Sequence, residues 1–396
     1  MAHFIRVTEN YARSLAATFP AVVITGARQS GKTTLLREAF PNHTYVTLDL
    51  PSVAEMADRD GAAFLRNYPG DLLIDEVQYA PGLFRYLKAE IDADRTRMGR
   101  FLLTGSQKFT LMQAVSDSLA GRAAILSLET LSLREIPADH RKSELATLAR
   151  GMFPELWRAP ELDAYAFYSS YVSTYIERDV RQVVNIGSLR DFERFLRACA
   201  VRSGQILNVS DLARDVGVTP KTAQSWLSAL EATNQIYLLE PYFENVGKRM
   251  IKSPKLFIND TGMLCFLLGL TESNLVNTPL IGMIWETFVC AELRKRHSNS
   301  DKPLSLWFYR DGQGREVDFL EMGEGKLNLY EAKWAENPDA RWFRILHEIA
   351  GYLAKGVMAT GDLSIVCRTP VTLHKDGVIV QRPESIGQEL ARPAGQ

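Results

Sequence analysis

The sequence has little of what defines several classes of protein. Only four of its 396 residues are cysteines, and none forms a CxxC pair. This argues against a zinc ribbon and a disulfide framework, and it favours a reducing compartment. The longest apolar stretch, residues 262–270, is about half as long as a membrane span, and the N-terminus lacks the apolar core of a signal peptide. We therefore expect a cytoplasmic protein without a membrane partner.

An excess of charge of one sign is also lacking. Lys plus Arg number 46 and Asp plus Glu number 47, which gives a net charge of −1. This argues against a protein that coats nucleic acid over its whole surface, although one basic face is compatible with it. The chain shows no internal repeat and no low-complexity segment. Its length exceeds one ordinary hydrophobic core, so we expect about two to four domains.

A glycine-rich segment follows the first predicted strand and fits the phosphate-loop (Walker A) pattern, GARQSGKT. Its glycines allow backbone N–H groups to face phosphates, and the helix that begins near Lys32 adds its positive end. Lys32 would contact the β- and γ-phosphates, and the Thr33 hydroxyl would bind Mg²⁺. The alternative, a glycine turn before a surface helix, is disfavoured by the apolar strand in front. The predicted ATP-binding residues are Gly26, Ala27, Arg28, Gln29, Ser30, Gly31, Lys32, Thr33, Thr34 and Asp75.

Residues 72–76, LLIDE, predict a buried strand that ends in two adjacent acids, as a Walker B motif does. Asp75 would hold Mg²⁺ through water, and Glu76 would act as general base on the attacking water. Alone, such a pair often marks a strand end that meets solvent. Together with the phosphate loop, it favours the catalytic interpretation.

Further apolar runs occur at 44–50, 100–106 and 123–129, and helical patterns separate most of them. A parallel sheet with helices on both faces is the natural assembly of such a pattern. The run at 44–50 lies between the loop and the acids, and Glu76 directly follows Asp75. In these features the chain resembles the additional-strand P-loop ATPases. The resemblance implies the strand order 5-1-4-3-2.

The same resemblance implies two further polar residues at the nucleotide. The fourth strand ends in LLTGS, which places Ser106 or Thr104 near the γ-phosphate as a polar sensor. Arg122 lies just before the fifth strand, where AAA+ proteins carry an arginine finger. Such a finger stabilises transition-state charge on a neighbouring subunit's nucleotide. The alternative for Arg122 is a surface ion pair.

Residues 209–233 predict two helices around a turn at Gly217. Ser210 would cap the first helix, and Thr219 would cap the second with Pro220 as its first residue. The outward face of the second helix would present side chains to the DNA major groove, and a wing would follow. The alternative is a helical lid or a subunit-packing module. The predicted DNA-binding residues, the last two in the wing, are Lys221, Thr222, Gln224, Ser225, Lys248 and Arg249.

The C-terminal region predicts a hairpin in which EVDF opens one strand and YEAK ends the next. This hairpin would bring Asp318 close to Glu331, and Lys333 would share a strand face with Glu331. The arrangement is that of PD-(D/E)XK nucleases, with two carboxylates for Mg²⁺ or Mn²⁺ and a lysine beside the water. Glu286, on a preceding helix, would be a further metal ligand. The alternative is a nuclease fold that has lost activity and binds DNA or packs an oligomer.

Over nearly its whole length the chain resembles prokaryotic AAA+ ATPases that end in a poorly characterised domain related to PD-(D/E)XK nucleases. The motifs that carry the resemblance are ITGARQSGKTTLL, LLIDEVQ, LLTGSQ, SLAGR, MFPEL, YIERDV, SPKLFINDTG and an E…EVDF…EAK tail. Met152 stands where a second glycine is expected, at a predicted turn between helices. The resemblance implies an α/β architecture with an AAA+ ATPase core at 1–130, a helical lid or linker at 131–188, a winged helix-turn-helix at 189–253 and a restriction-endonuclease-like domain at 254–396.

Two functions are compatible with these motifs. The first is an ATP-hydrolysing DNA-binding protein that couples an AAA+ motor to a metal-dependent nuclease-like domain, in DNA processing, repair or defence. The second is an ATP-dependent molecular switch or scaffold with a catalytically silent nuclease-like domain. Both require ATP and Mg²⁺. The resemblance also implies a homo-oligomeric ring, for example a hexamer. A small-molecule kinase is disfavoured by Glu76 directly after Asp75.

Overall fold

The computed structural model describes residues 4–106, 108–175, 188–242, 253–298, 304–355 and 358–387. We divide these into an N-terminal unit (4–127), a connecting segment (128–175), a middle unit (188–258) and a C-terminal unit (259–387). The predicted wing residues Lys248 and Arg249, and all but the first residue of the YIERDV motif, lie outside the described residues.

The N-terminal unit is a parallel sheet between two layers of helices. Its strands are β1 (Ala21–Thr25), β2 (Thr44–Thr47), β3 (Leu72–Asp75), β4 (Phe101–Gly105) and β5 (Ala123–Ser127). Its helices are α1 (Thr8–Thr18), α2 (Lys32–Ala39), α3 (Pro51–Arg59), α4 (Gly61–Asn67), α5 (Leu83–Ala93) and α6 (Lys108–Ser118). Alternate residues of β1 are buried in two separate cores, since Val23 packs into one and Ile24 into the other.

The strand order of this sheet is β2-β3-β4-β1-β5, and all its pairs are parallel. Read from the other edge this is 5-1-4-3-2, so the predicted order is confirmed. The strand predicted at 44–50 is shorter than expected and ends at Thr47, because the chain turns into α3 with Pro51 in its first turn. The carboxyl ends of β1, β3 and β4 lie side by side, which brings their following loops to one edge.

The connecting segment consists of two 3₁₀ turns followed by the helices α7 (Glu144–Arg150), α8 (Pro154–Arg158) and α9 (Ala164–Tyr175). Met152 lies in the turn between α7 and α8, as predicted. It is buried, and its backbone N–H donates to Asp260 Oδ2 at 2.8 Å. The residue of this turn that has to be glycine is Gly151. Its φ is +71°, and a Cβ there would lie 2.1 Å from the Tyr168 hydroxyl. One glycine therefore satisfies this turn, and a methionine fits beside it.

The middle unit packs three helices against a small antiparallel sheet of order β6-β8-β7. The helices are α10 (Leu189–Val201), α11 (Val209–Val216) and α12 (Pro220–Ala232), and the strands are β6 (Gln205–Ile206), β7 (Ile236–Leu239) and β8 (Lys255–Ile258). Gly217 ends α11 in the left-handed conformation with φ +84°. Ala223, Trp226, Leu227 and Leu230 are buried, so the side of α12 that faces the core is apolar.

One predicted helix cap is wrong and one is confirmed. The cap of α11 is Asn208 instead of Ser210, because the Asn208 side chain accepts the backbone N–H groups of Ser210 at 3.1 Å and Asp211 at 3.2 Å. Ser210 already lies inside the helix. Thr219 caps α12 as predicted, since its hydroxyl accepts the Thr222 N–H at 3.1 Å.

The C-terminal unit is a mixed six-stranded sheet of order β13-β14-β12-β11-β10-β9. Its strands are β9 (Leu306–Arg310), β10 (Glu316–Gly323), β11 (Lys326–Ala332), β12 (Ala359–Val366), β13 (Leu373–Lys375) and β14 (Val378–Gln381). Its helices are α13 (Thr261–Leu268), α14 (Glu272–Leu275), α15 (Ile281–Ser298) and α16 (Ala340–Leu353). The face of this sheet opposite α16 shares one apolar core with the middle unit, in which the rings of Phe257 and Phe319 lie 6.0 Å apart.

The sequence argues against disulfide bonds and against membrane-spanning helices. Cys199, Cys265, Cys290 and Cys367 are all buried and free, so no two of them form a disulfide. Within the described ranges, no helix combines the length and the apolar character needed to cross a bilayer.

Candidate functional site

The glycine-rich loop joins β1 to α2 and depends on residues with positive φ. Gly26 has φ +149° and Gly31 has φ +94°, and Gln29 is also left-handed at +59°. A Cβ at Gly26 would lie 2.2 Å from the carbonyl oxygen of Leu128, so glycine is required there. Since Gly31 directly precedes α2, the N–H groups of the first helical turn lie at the end of the loop, where a helix favours an anion.

Lys32 is the first residue of α2, and its side chain curls back into the loop. It is buried, and its ammonium donates to the carbonyl oxygens of Gly26 at 3.1 Å and Ala27 at 2.8 Å. A positive charge is therefore held inside the curve of the loop, where the pattern predicts the phosphates.

Asp75 is the last residue of β3, and its carboxylate accepts hydrogen bonds from three hydroxyl groups. Its Oδ1 accepts the hydroxyl of Thr33 at 2.9 Å and that of Thr104, and its Oδ2 accepts the hydroxyl of Tyr45 at 3.0 Å. Burial and the Asp75 charge raise the pKa of Tyr45, which keeps this donor protonated. The contact between Thr33 and Asp75 brings together two oxygen donors of the type that Mg²⁺ prefers, so these residues fit the predicted metal.

Glu76 adopts a left-handed backbone conformation, with φ +55°, which is uncommon outside glycine and points to a functional constraint. Its Oε2 accepts the Ser106 hydroxyl at 3.2 Å and the Gln78 amide, and its own N–H donates to the Thr104 hydroxyl at 3.3 Å. Both residues proposed for the polar sensor therefore reach the acids. Thr104 touches Asp75 and Ser106 touches Glu76.

A cleft of about 710 Å³ opens above the loop, within the range of roughly 300–1,000 Å³ that is typical of small-molecule sites. Arg28, Gln29, Thr33, Thr34 and Glu76 line its floor. The opposite walls come from the N-terminus and the connecting segment and include Phe4, Arg6, Leu131, Pro154, Arg158 and Tyr171. The cleft is therefore lined by both apolar and basic side chains.

Arg6 ties the loop to the chain after β5 and was not anticipated from the sequence. It is buried, and its guanidinium donates to the carbonyl oxygens of Ser30 and Glu129, both at 2.8 Å. A third bond, of 2.9 Å, goes to Glu135 Oε1. These hydrogen bonds to groups far apart in sequence hold the back of the loop in place.

Arg122 lies in the turn before β5 and forms a two-point ion pair with Asp92. The Nε and Nη2 groups of Arg122 donate to the two carboxylate oxygens at 2.8 and 2.9 Å. Hydrogen bonds from Arg122 and then from Arg95 lower the pKa of Asp92 to about 2. Within one chain, the contacts of Arg122 are therefore those of a surface ion pair, which is the alternative to an arginine finger.

The predicted DNA-reading face of α12 is largely exposed. Lys221, Gln224 and Ser225 point to solvent. Thr222 is half-buried, and its hydroxyl lies 2.9 Å from that of Thr219, so it takes part in the helix cap.

The predicted C-terminal hairpin is confirmed. β10 pairs with β11 in antiparallel register, and Glu324 and Gly325, both with positive φ, form the two-residue turn between them. Asp318 Oδ2 lies 3.3 Å from the Lys333 ammonium. That ammonium in turn lies 2.6 Å from Glu331 Oε1.

A second lysine enters this carboxylate cluster and changes its chemistry. The Lys255 ammonium lies 2.8 Å from Glu286 Oε1 and 3.9 Å from Asp318 Oδ1, and it also pairs with Glu316. The prediction that Glu286, Asp318 and Glu331 jointly hold a divalent cation does not fit this arrangement, because the two ammonium groups pair with the carboxylates. In the part of the chain that the structure describes, no group of three or more His, Cys, Asp or Glu side chains is placed to hold a metal ion.

Burial strongly affects the charges of this cluster. Desolvation, followed by the charge of Asp318, raises the pKa of Glu286 to about 7 and that of Glu331 to about 8. Desolvation opposes the charge on Lys255, yet the neighbouring carboxylates outweigh it and raise the pKa of this lysine. Lysines and acids here therefore depend on one another for their ionisation.

Two proteins, from Mycobacterium bovis and Mycobacterium tuberculosis, resemble the chain over most of its length, and both are called uncharacterized. Each is 32% identical over 323 residues, which covers 81% of this chain and 71% of the relative. The chain belongs to their family. Residues 18–137 also match the model of an AAA domain, so the N-terminal unit is an ATPase domain of the AAA class. Residues 142–274 and 281–380 match two domains of unknown function, DUF8612 and DUF4143.

Among solved structures, the chain is similar to a Walker-type ATPase of Pyrococcus abyssi and to a RuvB variant of Thermotoga maritima. The first is 15% identical with a TM-score of 0.45, covering 66% of this chain and 94% of that one. The second is 16% identical with a TM-score of 0.30, covering 59% of this chain and 86% of that one.

Four polar residues at these sites were missed from the sequence. Gln78 lies two residues beyond Glu76, and Tyr45 lies on the strand beside Asp75, so position offered a signal for both. Arg6 and Lys255 carried no such signal. Their partners are distant in the chain, and only the folded structure brings them together.

Proposed function

We propose that this protein binds ATP with Mg²⁺ above the glycine-rich loop, hydrolyses it, and couples turnover to DNA bound by the middle unit. The observation that carries the proposal is a group of side chains in contact at the carboxyl edge of the sheet, which we call the junction. There Thr33 contacts Asp75, and Glu76 is held beside it by Ser106.

Each residue of the junction has a distinct chemical task in this proposal. The Lys32 ammonium contacts the phosphates, and Thr33 and Asp75 would hold Mg²⁺, which when bound would neutralise phosphate charge. Glu76 accepts a proton from the attacking water, and the Ser106 hydroxyl keeps its carboxylate in one orientation.

The proposal of DNA binding rests on the arrangement and surface of the middle unit. Three helices against a small sheet, with a capped second helix after a glycine turn, is the order expected of a winged helix-turn-helix. The exposed face of α12 carries Lys221, Gln224 and Ser225, which are able to contact phosphate or base edges.

Removing positive charge from this surface is expected to weaken DNA binding in a salt-dependent way. The variant combines Lys221→Ala, Lys248→Ala and Arg249→Ala. Each lost phosphate contact should lower the slope of log affinity against log salt by about one unit. The matched control is Lys88→Ala, an exposed lysine of α5. Titration of a labelled duplex at several salt concentrations measures the slope, and an unchanged affinity and slope would place the DNA site elsewhere.

We also propose that the protein assembles into a homo-oligomer in which Arg122 acts on a neighbour's nucleotide. Mixing Arg122→Ala subunits with Glu76→Gln subunits should then restore part of the turnover that each variant lacks alone, because some interfaces combine two intact halves. Arg97→Ala, which removes another exposed ion pair, is the control. Turnover is measured against protein concentration, and full activity of a monomer would contradict the idea.

Phosphodiester cleavage by the C-terminal unit is the second candidate function. The convergence of Asp318, Glu331 and Lys333 across the hairpin favours it. The pairing of the carboxylates with lysines favours the alternative of a switch or scaffold with a silent domain. Nucleic-acid degradation and DNA-stimulated ATP turnover, each assayed with Mg²⁺ or Mn²⁺, separate the two. Cleavage that Asp318→Ala abolishes supports the nuclease, whereas turnover indifferent to DNA and a protein partner on pull-down support the switch.

A further inference from the structure

Lys255 belongs to the middle unit by its backbone and to the C-terminal unit by its side chain. It begins β8, which pairs with β6 and β7. Its side chain is only 3% exposed and ends among Glu286, Glu316 and Asp318. A lysine loses rotamer freedom and hydration when it is buried in this way, so the carboxylates must compensate for both.

The cluster needs this cation. Glu286, Glu316, Asp318 and Glu331 bring four carboxylates into a largely buried space, and Lys333 contacts only Asp318 and Glu331 among the pairs described. Arg310 reaches Glu316 from the exposed rim at 3.5 Å. Without Lys255, Glu286 would have no cationic partner among the ion pairs that the structure describes. Buried carboxylates that share one cluster destabilise one another strongly when no cation lies between them.

Asp318 shows most clearly how the two lysines divide the cluster. Its Oδ2 faces Lys333 at 3.3 Å and its Oδ1 faces Lys255 at 3.9 Å. A divalent cation bound to Asp318 and Glu286 would have to share their oxygens with the Lys255 ammonium. Two cations in that space would repel each other by several times the thermal energy.

We propose that Lys255 is a built-in cation that takes the place of a divalent metal in this cluster, and that it closes the cluster to metal while β8 is docked on the C-terminal unit. The cluster is thus an ion-pair joint, because its ion pairs link the middle unit to the C-terminal unit. Its carboxylates become available to a metal only when the Lys255 ammonium is removed. The packing of Phe257, on the same strand, against Phe319 holds the joint closed. This inference does not depend on ATP hydrolysis or on DNA binding.

Mn²⁺ binding to the nucleotide-free full chain tests the proposal, with free Mn²⁺ followed by electron paramagnetic resonance. The wild-type protein and Asp318→Asn should bind Mn²⁺ alike, because the wild-type cluster takes up none. Lys255→Met should gain a site at least about ten-fold tighter than any in the wild type, since the competing charge is gone. The gain should disappear in Lys255→Met combined with Asp318→Asn. Lys326→Met, at the exposed end of the hairpin, is the matched control.

Lys255→Met leaves Glu286 without its counter-charge, and this variant could fail to fold for that reason. A second variant keeps the test decisive in that case. Lys255→Gln keeps an N–H donor for Glu286, and Mn²⁺ should raise the melting temperature of this variant while leaving that of the wild type unchanged. The proposal is overturned if Asp318→Asn removes a Mn²⁺ site from the wild type, or if neither Lys255 variant binds more Mn²⁺ than the wild type does. ATP turnover is measured in parallel, and its absence in every protein would count against the proposed ATPase alone.

Discussion

Replacing Glu76 by Gln is expected to lower the rate of ATP turnover about 100- to 10,000-fold and to leave ATP affinity nearly unchanged. The amide has the size of the carboxylate and still offers an oxygen to the Ser106 hydroxyl, but it cannot accept a proton from water. General-base catalysis contributes roughly this factor to enzymatic rates. Steady-state phosphate release measures turnover, and titration with a fluorescent ATP analogue measures affinity.

The matched control for this variant is Glu55→Gln. Glu55 lies on α3, its side chain is exposed, and it forms an ion pair with Arg59. The control should turn over ATP at the wild-type rate. Normal turnover in the Glu76→Gln protein would remove Glu76 from the role of general base and leave the left-handed turn at this residue without a catalytic explanation.

Replacing Lys32 by Ala is expected to weaken ATP binding by about 10- to 100-fold. Hydrogen bonds to a charged group are worth about 1.5–3 kcal/mol, and the ammonium of Lys32 is the positive charge held within the loop. Its loss also leaves the carbonyl oxygens of Gly26 and Ala27 without this donor. The dissociation constant of ATP, measured by calorimetry with Mg²⁺ present, reports the effect.

Lys88→Ala, on the exposed face of α5, is the control for Lys32→Ala and should bind ATP as the wild type does. A dissociation constant within about two-fold of the wild type in Lys32→Ala would assign the phosphates to another cation of the cleft, for example Arg28. The two variants together separate binding from chemistry, since Lys32→Ala acts on affinity and Glu76→Gln acts on turnover.

One helix contacts both candidate sites and gives them a physical connection. Near its start, α15 carries Glu286, which holds Lys255 at 2.8 Å. Two turns later, Arg294 donates to Glu129 Oε1 at 2.8 Å, and the carbonyl oxygen of Glu129 is one of the acceptors that fix Arg6 behind the glycine-rich loop. Lys295 adds a bond of 2.7 Å to the carbonyl oxygen of Leu131. The connecting segment and the C-terminal unit are therefore braced by one rigid element.

The features predictable from the sequence are those in which neighbouring residues supply the whole physical cause. The glycine-rich loop needs its own glycines and the helix after it, so Gly26 to Thr33 was sufficient to place Lys32. The hairpin that brings Asp318 to Glu331 depends on a two-residue turn and alternating strand residues, and the cap at Thr219 depends on the next three residues. The strand order followed from a resemblance carried by equally local motifs. The cap at Ser210 was misplaced by two residues, because Asn208 offers a better-positioned acceptor.

Only the tertiary structure decided which charges meet. Arg6 lies 24 residues before Ser30 and 129 before Glu135, and it contacts both. Lys255 lies 31 residues before Glu286, at the start of a strand whose pattern is otherwise apolar. Neither contact leaves a periodicity or a spacing in the sequence, because each depends on how separate units pack. For that reason the sequence by itself determined the glycine-rich loop and the carboxylates of the C-terminal hairpin, while the packing of β8 against that hairpin placed the ammonium of Lys255 among those carboxylates.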